Sequence, residues 1–186
     1  MSEQKELIEL IKTTRPHLEV TDVSEWSKAK WLEYRTSGLG CSEIGSVLGH
    51  NKYSDPAIVF AQKTGLVPTG SFDNEIMFMG RVLEPIVADL WEHYDPEIGT
   101  WEGTAKNMAE GKKVRKVLKP EVYVRNPKYP WLFGGPDGIF HHEGDISVLE
   151  IKTIAKMAAD QYISGIPTSY LYQIHGYMML FECDYC

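Results

Sequence analysis

The stretch from Gly135 to Lys152 leaves this chain the fewest options. Two β-prone runs, Gly138 to His142 and Ile146 to Lys152, flank Glu143-Gly144-Asp145, a pattern that reads as a β-hairpin. With Glu143 and Gly144 as the loop, Asp137 faces Glu150; with Gly144 and Asp145 as the loop, it faces Lys152. Side chains alternate along a strand, so both registers set Asp137, Glu150 and Lys152 on one face and turn Leu149 and Ile151 toward the core. A three-residue loop would put Asp137 opposite Ile151, so the turn decides the outcome.

Helical patterns surround this hairpin. The spacing predicts a helix over Glu3 to Lys12 with Leu7, Ile8 and Ile11 on one side and Ser2 as N-cap. A second begins near Ser24 and carries Trp26, Trp31 and Arg35. Gly38-Leu39-Gly40 breaks it, and Ser42 opens a short helix ending at Gly49. Asp55-Pro56 reads as a cap followed by proline at the first helical position, with Gly65 as the stop. A long helix spans Asp73 to His93, with Met77, Val87 and Trp91 inward and Pro85 in its middle, and a last one runs from Pro167-Thr168-Ser169 to Phe181. Residues 114–125 and 138–152 read as strands. The class is α/β (α+β), a single domain over 1–186, which matches the length of 186 residues.

Composition narrows the class of partner. Hydrophobic residues make up 43% and charged ones 24%, which excludes disorder and collagen, and no apolar run nears the roughly 18 residues of a membrane span. The opening Met-Ser-Glu-Gln-Lys-Glu has no basic and apolar leader, and three cysteines (Cys41, Cys183, Cys186) suit a reducing compartment; the expected location is cytoplasmic. The net charge of −7 argues against a polyanionic partner. However, residues 106–128 concentrate Lys106, Lys112, Lys113, Arg115, Lys116, Lys119, Arg125 and Lys128 against Glu110 and Glu121. Any nucleic-acid channel is expected there.

Two carboxylates beside an ammonium have a specific use. Opposed carboxylates repel unless a cation lies between them, and Mg²⁺ takes one or two carboxylates plus waters and phosphate oxygens. A lysine nearby orients or helps deprotonate a metal-bound water. Glu-Ile-Lys alone is an ordinary surface strand; Pro136-Asp137-Gly138 at hairpin distance changes that balance.

Pro136-Asp137 followed by Glu150-Ile151-Lys152 resembles the PD-(D/E)XK nuclease signature. The chain as a whole is similar to one branch of it, the YqaJ-type viral recombinase family that includes phage lambda exonuclease. The likeness runs through Arg35-x2-Gly38-Leu39-Gly40-Cys41-Ser42-Glu43-Ile44, Gly80-x3-Glu84-Pro85, the hairpin, and Tyr172-Gln173-x3-Tyr177. It implies a restriction-endonuclease-like core, a central mixed sheet flanked by helices. It also implies a Mg²⁺-dependent deoxyribonuclease, with Mn²⁺ able to substitute, that digests double-stranded DNA ends 5′ to 3′ in phage-type recombination. Asp137, Glu150, the Ile151 carbonyl and Glu84 would hold metal, one ion or two; Lys152 would position the attacking water; Gln173 would face the scissile region. Arg35 and Ser42 would hold the 5′-phosphate. A single-strand annealing protein and a homotrimeric ring are the partners implied.

Residues outside these blocks receive plainer readings. Tyr170 and Tyr177 read as core packing, His175 as a satisfied helix histidine, and Trp131 as packing. His141 and His142 point to opposite sheet faces and form no ligand pair. Rival readings are an iron–sulfur nuclease of CRISPR-associated type using Cys183-x2-Cys186, an endonuclease, a catalytically silent DNA-binding module and a glycosidase. Three cysteines fall short of the four thiolates a cluster takes, and a glycosidase has no use for Lys152. Family members continue beyond the position of Cys186, so a shortened member or a truncated chain is expected.

Overall fold

The structure is a computed structural model that describes residues 3–68, 74–142, 144–154, 160 and 162–186. The proposed N-cap at Ser2 and the helix start at Asp73 lie outside the described residues. So does Glu143.

Among the described residues, seven α-helices and seven strands form a mixed α/β architecture. The helices are α1 (Glu3–Thr14), α2 (Lys28–Thr36), α3 (Ile44–Val47), α4 (Pro56–Lys63), α5 (Glu75–His93), α6 (Trp101–Ala109) and α7 (Thr168–Phe181). The strands are β1 (Glu19–Asp22), β2 (Leu39–Gly40), β3 (Val117–Leu118), β4 (Val122–Arg125), β5 (Leu132–Gly134), β6 (Gly138–His142) and β7 (Asp145–Leu149). Four strands in the order β1-β4-β5-β2 make a mixed sheet, in which β2 alone runs parallel to its neighbour; β3-β6-β7 make a second, antiparallel sheet.

The expected strand over 114–125 is therefore two strands in two sheets. Pro120 lies between them and offers no N–H to a ladder, which is where the chain changes sheets. Helix α2 starts at Lys28, not near Ser24: Ser27 caps it by accepting from Lys30 N at 3.3 Å, while the Ser24 hydroxyl donates to Asp22. Asp55 caps α4 as expected, accepting from Ile58 N at 2.9 Å, and Gly65 follows in the left-handed region at φ 74°. Helix α6 was not legible in the basic run. Its signal was Thr100, whose hydroxyl accepts from Gly103 N at 3.0 Å.

The hairpin closes in the first of the two registers. Ladder pairs run from His142–Asp145 to Gly138–Leu149, so continuation of the register sets Asp137 beside Glu150. The core face is the opposite of the one expected, however. Ile146 and Val148, which share the parity of Glu150, are 1% exposed and pack with Ile139, Leu7, Ile11, Tyr177, Leu180 and Phe181, whereas Leu149 and Ile151 are only half-buried. The reason is α7, which covers the Glu150 face of β7 and is met there by α1. Burial of each such side chain contributes about 1.5–3 kcal/mol of hydrophobic stabilisation before entropy is counted. The site thus grows out of the polar end of a core row.

Helix α5 departs from expectation in the same way. Its buried positions are Ala88, Glu92 and His93, not Met77, Val87 and Trp91. Its buried residues all lie in the C-terminal half, while Ile76 and Met77 at its start line a cleft. Glu92 anchors the packed half by accepting from Val117 N at 2.8 Å and pairing with Lys113 at 2.5 Å.

Candidate active site

Between β5 and β6 the chain passes from one sheet to the other through Gly135-Pro136-Asp137. A Cβ on Gly135 would lie 2.5 Å from the Val122 carbonyl oxygen, and one on Gly134 would lie 2.6 Å from the Tyr177 ring. Only glycine permits this approach. The Tyr177 hydroxyl, deep in the core, donates to the Gly135 carbonyl at 3.0 Å and ties the turn to α7. The turn therefore presents Asp137 from a rigid base.

Asp137 and the end of β7 interlock. Asp137 Oδ2 accepts from Ile151 N at 2.7 Å, which fixes the backbone on either side of Glu150 and Lys152. Glu150 Oε1 accepts from Lys152 Nζ and from Gln173 Nε2, the latter at 2.5 Å. Glu150 Oε2 is buried with no hydrogen-bond partner. Burial pushes the Glu150 carboxyl up to about 7, with the Asp137 charge adding to it and Lys152 opposing it. Burial raises Asp137 as well, against the Ile151 N–H and Lys152, and it raises Glu84, helped by the Asp137 charge. Three acidic groups are thus held where burial disfavours the charged form and a nearby cation would favour it.

The residues expected from the sequence fall into two adjoining recesses that share Asp137. Glu84, Asp137, Ile151 and Lys152 line a cleft of about 430 Å³ beneath the overhanging start of α5. Gly80 lets α5 come close, since a Cβ there would lie 3.2 Å from Thr153 Oγ1. Arg35, Ser42, Asp137, Glu150 and Gln173 line a second recess of about 240 Å³. Helix α5 runs through Pro85, whose missing N–H leaves one carbonyl of the preceding turn without its helical partner. Tyr170 lies under Lys152, with Nζ 5.4 Å from the ring centre.

Among the described residues, no three His, Cys, Asp or Glu side chains are grouped closely enough to hold a metal ion by themselves. What does fit a divalent cation is the orphaned oxygen of Glu150 next to two further carboxyls raised by burial. Such a donor set leaves most positions to water and phosphate oxygens, which is how Mg²⁺ is bound beside a polyphosphate or nucleic acid.

The loop of Gly38 to Gly40 is not a plain turn. Leu39 and Gly40 form β2, parallel to β5, and Cys41–Glu43 make one 3-10 turn before α3. The Gly40 N–H donates to Glu43 Oε2 at 2.8 Å. Glu43 also takes Arg35 at 2.7 Å and Lys63 at 2.7 Å. Glu43 and Lys63 were missed by sequence reasoning, which saw Glu43 only as part of a motif. Lys63 stands a whole helix away, and no local spacing relates it to Arg35.

Other expectations resolve as follows. Cys41 is buried between Gly134 and Gly176, and burial pushes its thiol well up. Trp131 is 51% exposed. His175 is exposed on α7 and Tyr177 is core. The basic run makes no continuous face: Lys106 meets Glu110, Lys113 meets Glu92 and Asp89, Lys116 meets Glu6, and Arg115 donates to the carbonyls of Trp91 and Tyr94. Lys119 acts on Glu84 and so reaches the site. No helix among the described residues is long and apolar enough to cross a membrane.

Residues 30–184 match the family described as YqaJ-like viral recombinase domain. The chain is similar to the protein named "Uncharacterized protein YqaJ" of Bacillus subtilis (strain 168), with 29% identity over 163 residues; the match covers 87% of this chain and 45% of that protein. The chain spans about half the length of this curated relative. With the match extending from α2 through the site turn to the end of α7, the chain belongs to the YqaJ-like viral recombinase domain family.

Proposed function

We propose that the chain is a metal-dependent deoxyribonuclease, a 5′-to-3′ exonuclease on double-stranded DNA ends. Membership of a viral recombinase family sets the setting, phage-type recombination. The observation that carries the reading is the meeting of Asp137, Glu150, Lys152, Glu84 and Gln173 around one turn, with Glu150 Oε2 buried and unpartnered. A silent binding module has no use for a carboxylate held half-paired at about 7. Asp137, Glu150 and Glu84 would hold Mg²⁺ or Mn²⁺, with the Ile151 carbonyl as a further donor. A bound divalent ion supplies Lewis-acid polarisation of the phosphate and a lowered pKa for attacking water.

The chain's own residues do the rest. Gln173 and Lys152 fix one oxygen of Glu150, leaving the other buried and unpartnered. Lys152, steadied over Tyr170, orients the water that bonds to phosphorus as the P–O3′ bond breaks. The leaving 3′ oxygen takes up a proton, and the remaining strand keeps a 5′-phosphate. Arg35 and Ser42, in the second recess, are placed to receive that phosphate, so each cleavage regenerates the end the pocket binds.

The test is digestion of linear duplex DNA with and without Mg²⁺. Release of mononucleotides that stops on chelation and falls at least about 1,000-fold in Asp137→Asn supports the reading. Unchanged release in that variant refutes it. A single-strand annealing partner or a homotrimeric ring is a separate proposal, checked by sedimentation with DNA.

A further inference from the structure

We infer that Glu43 is a positioning residue that holds Arg35 aimed into the recess, and through it sets the preference for a phosphorylated DNA end. The inference rests on the end-phosphate reading above. A guanidinium in a 240 Å³ recess beside Asp137 and Glu150 has a strong reason to turn toward those carboxyls. Were it to do so, it would neutralise the site and vacate the place for an incoming anion.

Glu43 prevents this by position. Its Oε1 takes Arg35 Nη2 at 2.7 Å; its Oε2 takes Gly40 N at 2.8 Å and Lys63 Nζ at 2.7 Å. Lys63 in turn donates to the Arg35 carbonyl, so backbone and side chain of Arg35 are held from one point. Trp31 supports the other side, with the guanidinium carbon 4.9 Å from its ring centre. The two ion-pair side chains are 21% and 14% exposed, so the pair is neither screened at the surface nor fully desolvated. Three elements, α2, the 3-10 turn and α4, converge on one carboxylate. Glu43 takes the Nη2 end of a five-donor fork and the Tyr123 hydroxyl also bonds to it, which leaves the remaining donors for phosphate.

The experiment measures Kd by fluorescence anisotropy in EDTA, where no hydrolysis occurs, for blunt duplexes ending in 5′-phosphate or 5′-hydroxyl. The wild type is expected to favour the phosphate about tenfold, the effect of one charge-assisted pair. Arg35→Ala abolishes that ratio. Glu43→Gln reduces it to about twofold while 5′-hydroxyl binding stays put, and adding Glu43→Gln to Arg35→Ala changes nothing further. Retention of the full ratio in Glu43→Gln overturns the inference, as does an equal additional loss in the Arg35→Ala background, the mark of a merely structural role. If thermal melting shows Glu43→Gln unfolded, Glu43→Asp, which keeps the charge and shortens the reach, is measured instead; it is expected to lose the ratio, and its retention overturns the inference. A wild type that digests DNA yet shows no end preference removes the end-phosphate reading itself and leaves the nuclease assignment standing.

Discussion

Two largely buried carboxylates, Glu150 on the wall of the second recess and Glu43 bonded to Arg35 of that wall, each have a lysine partner, yet their states are opposite. At Glu43 burial raises the pKa, but Arg35, Lys63 and the Gly40 N–H together bring it below the ordinary value. At Glu150 burial also raises it, and Lys152 does not compensate, so the carboxyl rises to about 7. The difference is satisfaction. Both oxygens of Glu43 are engaged, whereas one oxygen of Glu150 has no partner. A completed ion cluster holds structure in place; an incomplete one is a place for something else.

The comparison breaks most readily at the reaction. Asp137→Asn, Glu150→Gln and Lys152→Ala are each expected to lower Mg²⁺-dependent DNA hydrolysis by about 1,000-fold or more, read as mononucleotide release. Replacing Glu43 leaves hydrolysis of 5′-hydroxyl ends within about threefold. A uniform collapse in both sets would erase the distinction.

Stability separates the two next, and with opposite signs. Glu150 has a raised folded pKa, so its ionisation destabilises the fold as pH rises from the ordinary 4.5 toward 7. Glu150→Gln is therefore expected to stabilise the metal-free protein at pH 8 by about 1–3 kcal/mol, measured by urea unfolding in EDTA. Glu43 has a lowered folded pKa, so its contribution is present above 4.5 and is lost as pH falls through the folded value. Glu43→Gln should cost about 1–3 kcal/mol at pH 7 and progressively less on acidification below 4.5. The same unfolding series across pH checks that sign.

Smaller effects sharpen the boundary of the site. Tyr170→Leu removes the ring under Lys152, worth about 0.5–1 kcal/mol, and is expected to lower kcat about threefold with KM unchanged. Lys113→Ala and Lys116→Ala, whose charges already meet Glu92, Asp89 and Glu6, should leave the salt dependence of DNA binding unaltered, while Lys119→Ala should reduce its slope by about 1. An equal slope change in all three would restore the basic run as one channel.

Much of the site was legible because its parts are local or motif-borne. Asp137, Glu150 and Lys152 are related by a hairpin, and a hairpin register follows from loop length and alternation. Glu84 and Gln173 entered through resemblance, and the fold places them beside that hairpin. Lys63 was invisible, because its link to Glu43 is made only when α4 packs beside α2 and the 3-10 turn. The pairing of the basic run was invisible for the same reason: the acids that meet Lys113 and Lys116, Glu6, Asp89 and Glu92, lie far away in sequence on α1 and α5.

The amino-acid sequence determined the class of fold, the cap of α4, the hairpin with its register options, and the residue types of the candidate site, since each depends on neighbours within a few residues or one turn. Tertiary structure decided which hairpin face is core, how strands divide between two sheets, which carboxylate is satisfied and which cations remain for a partner. These are differences between long-range contacts and solvent. Burial and pairing set them, and neither exists until the helices have closed over the sheets.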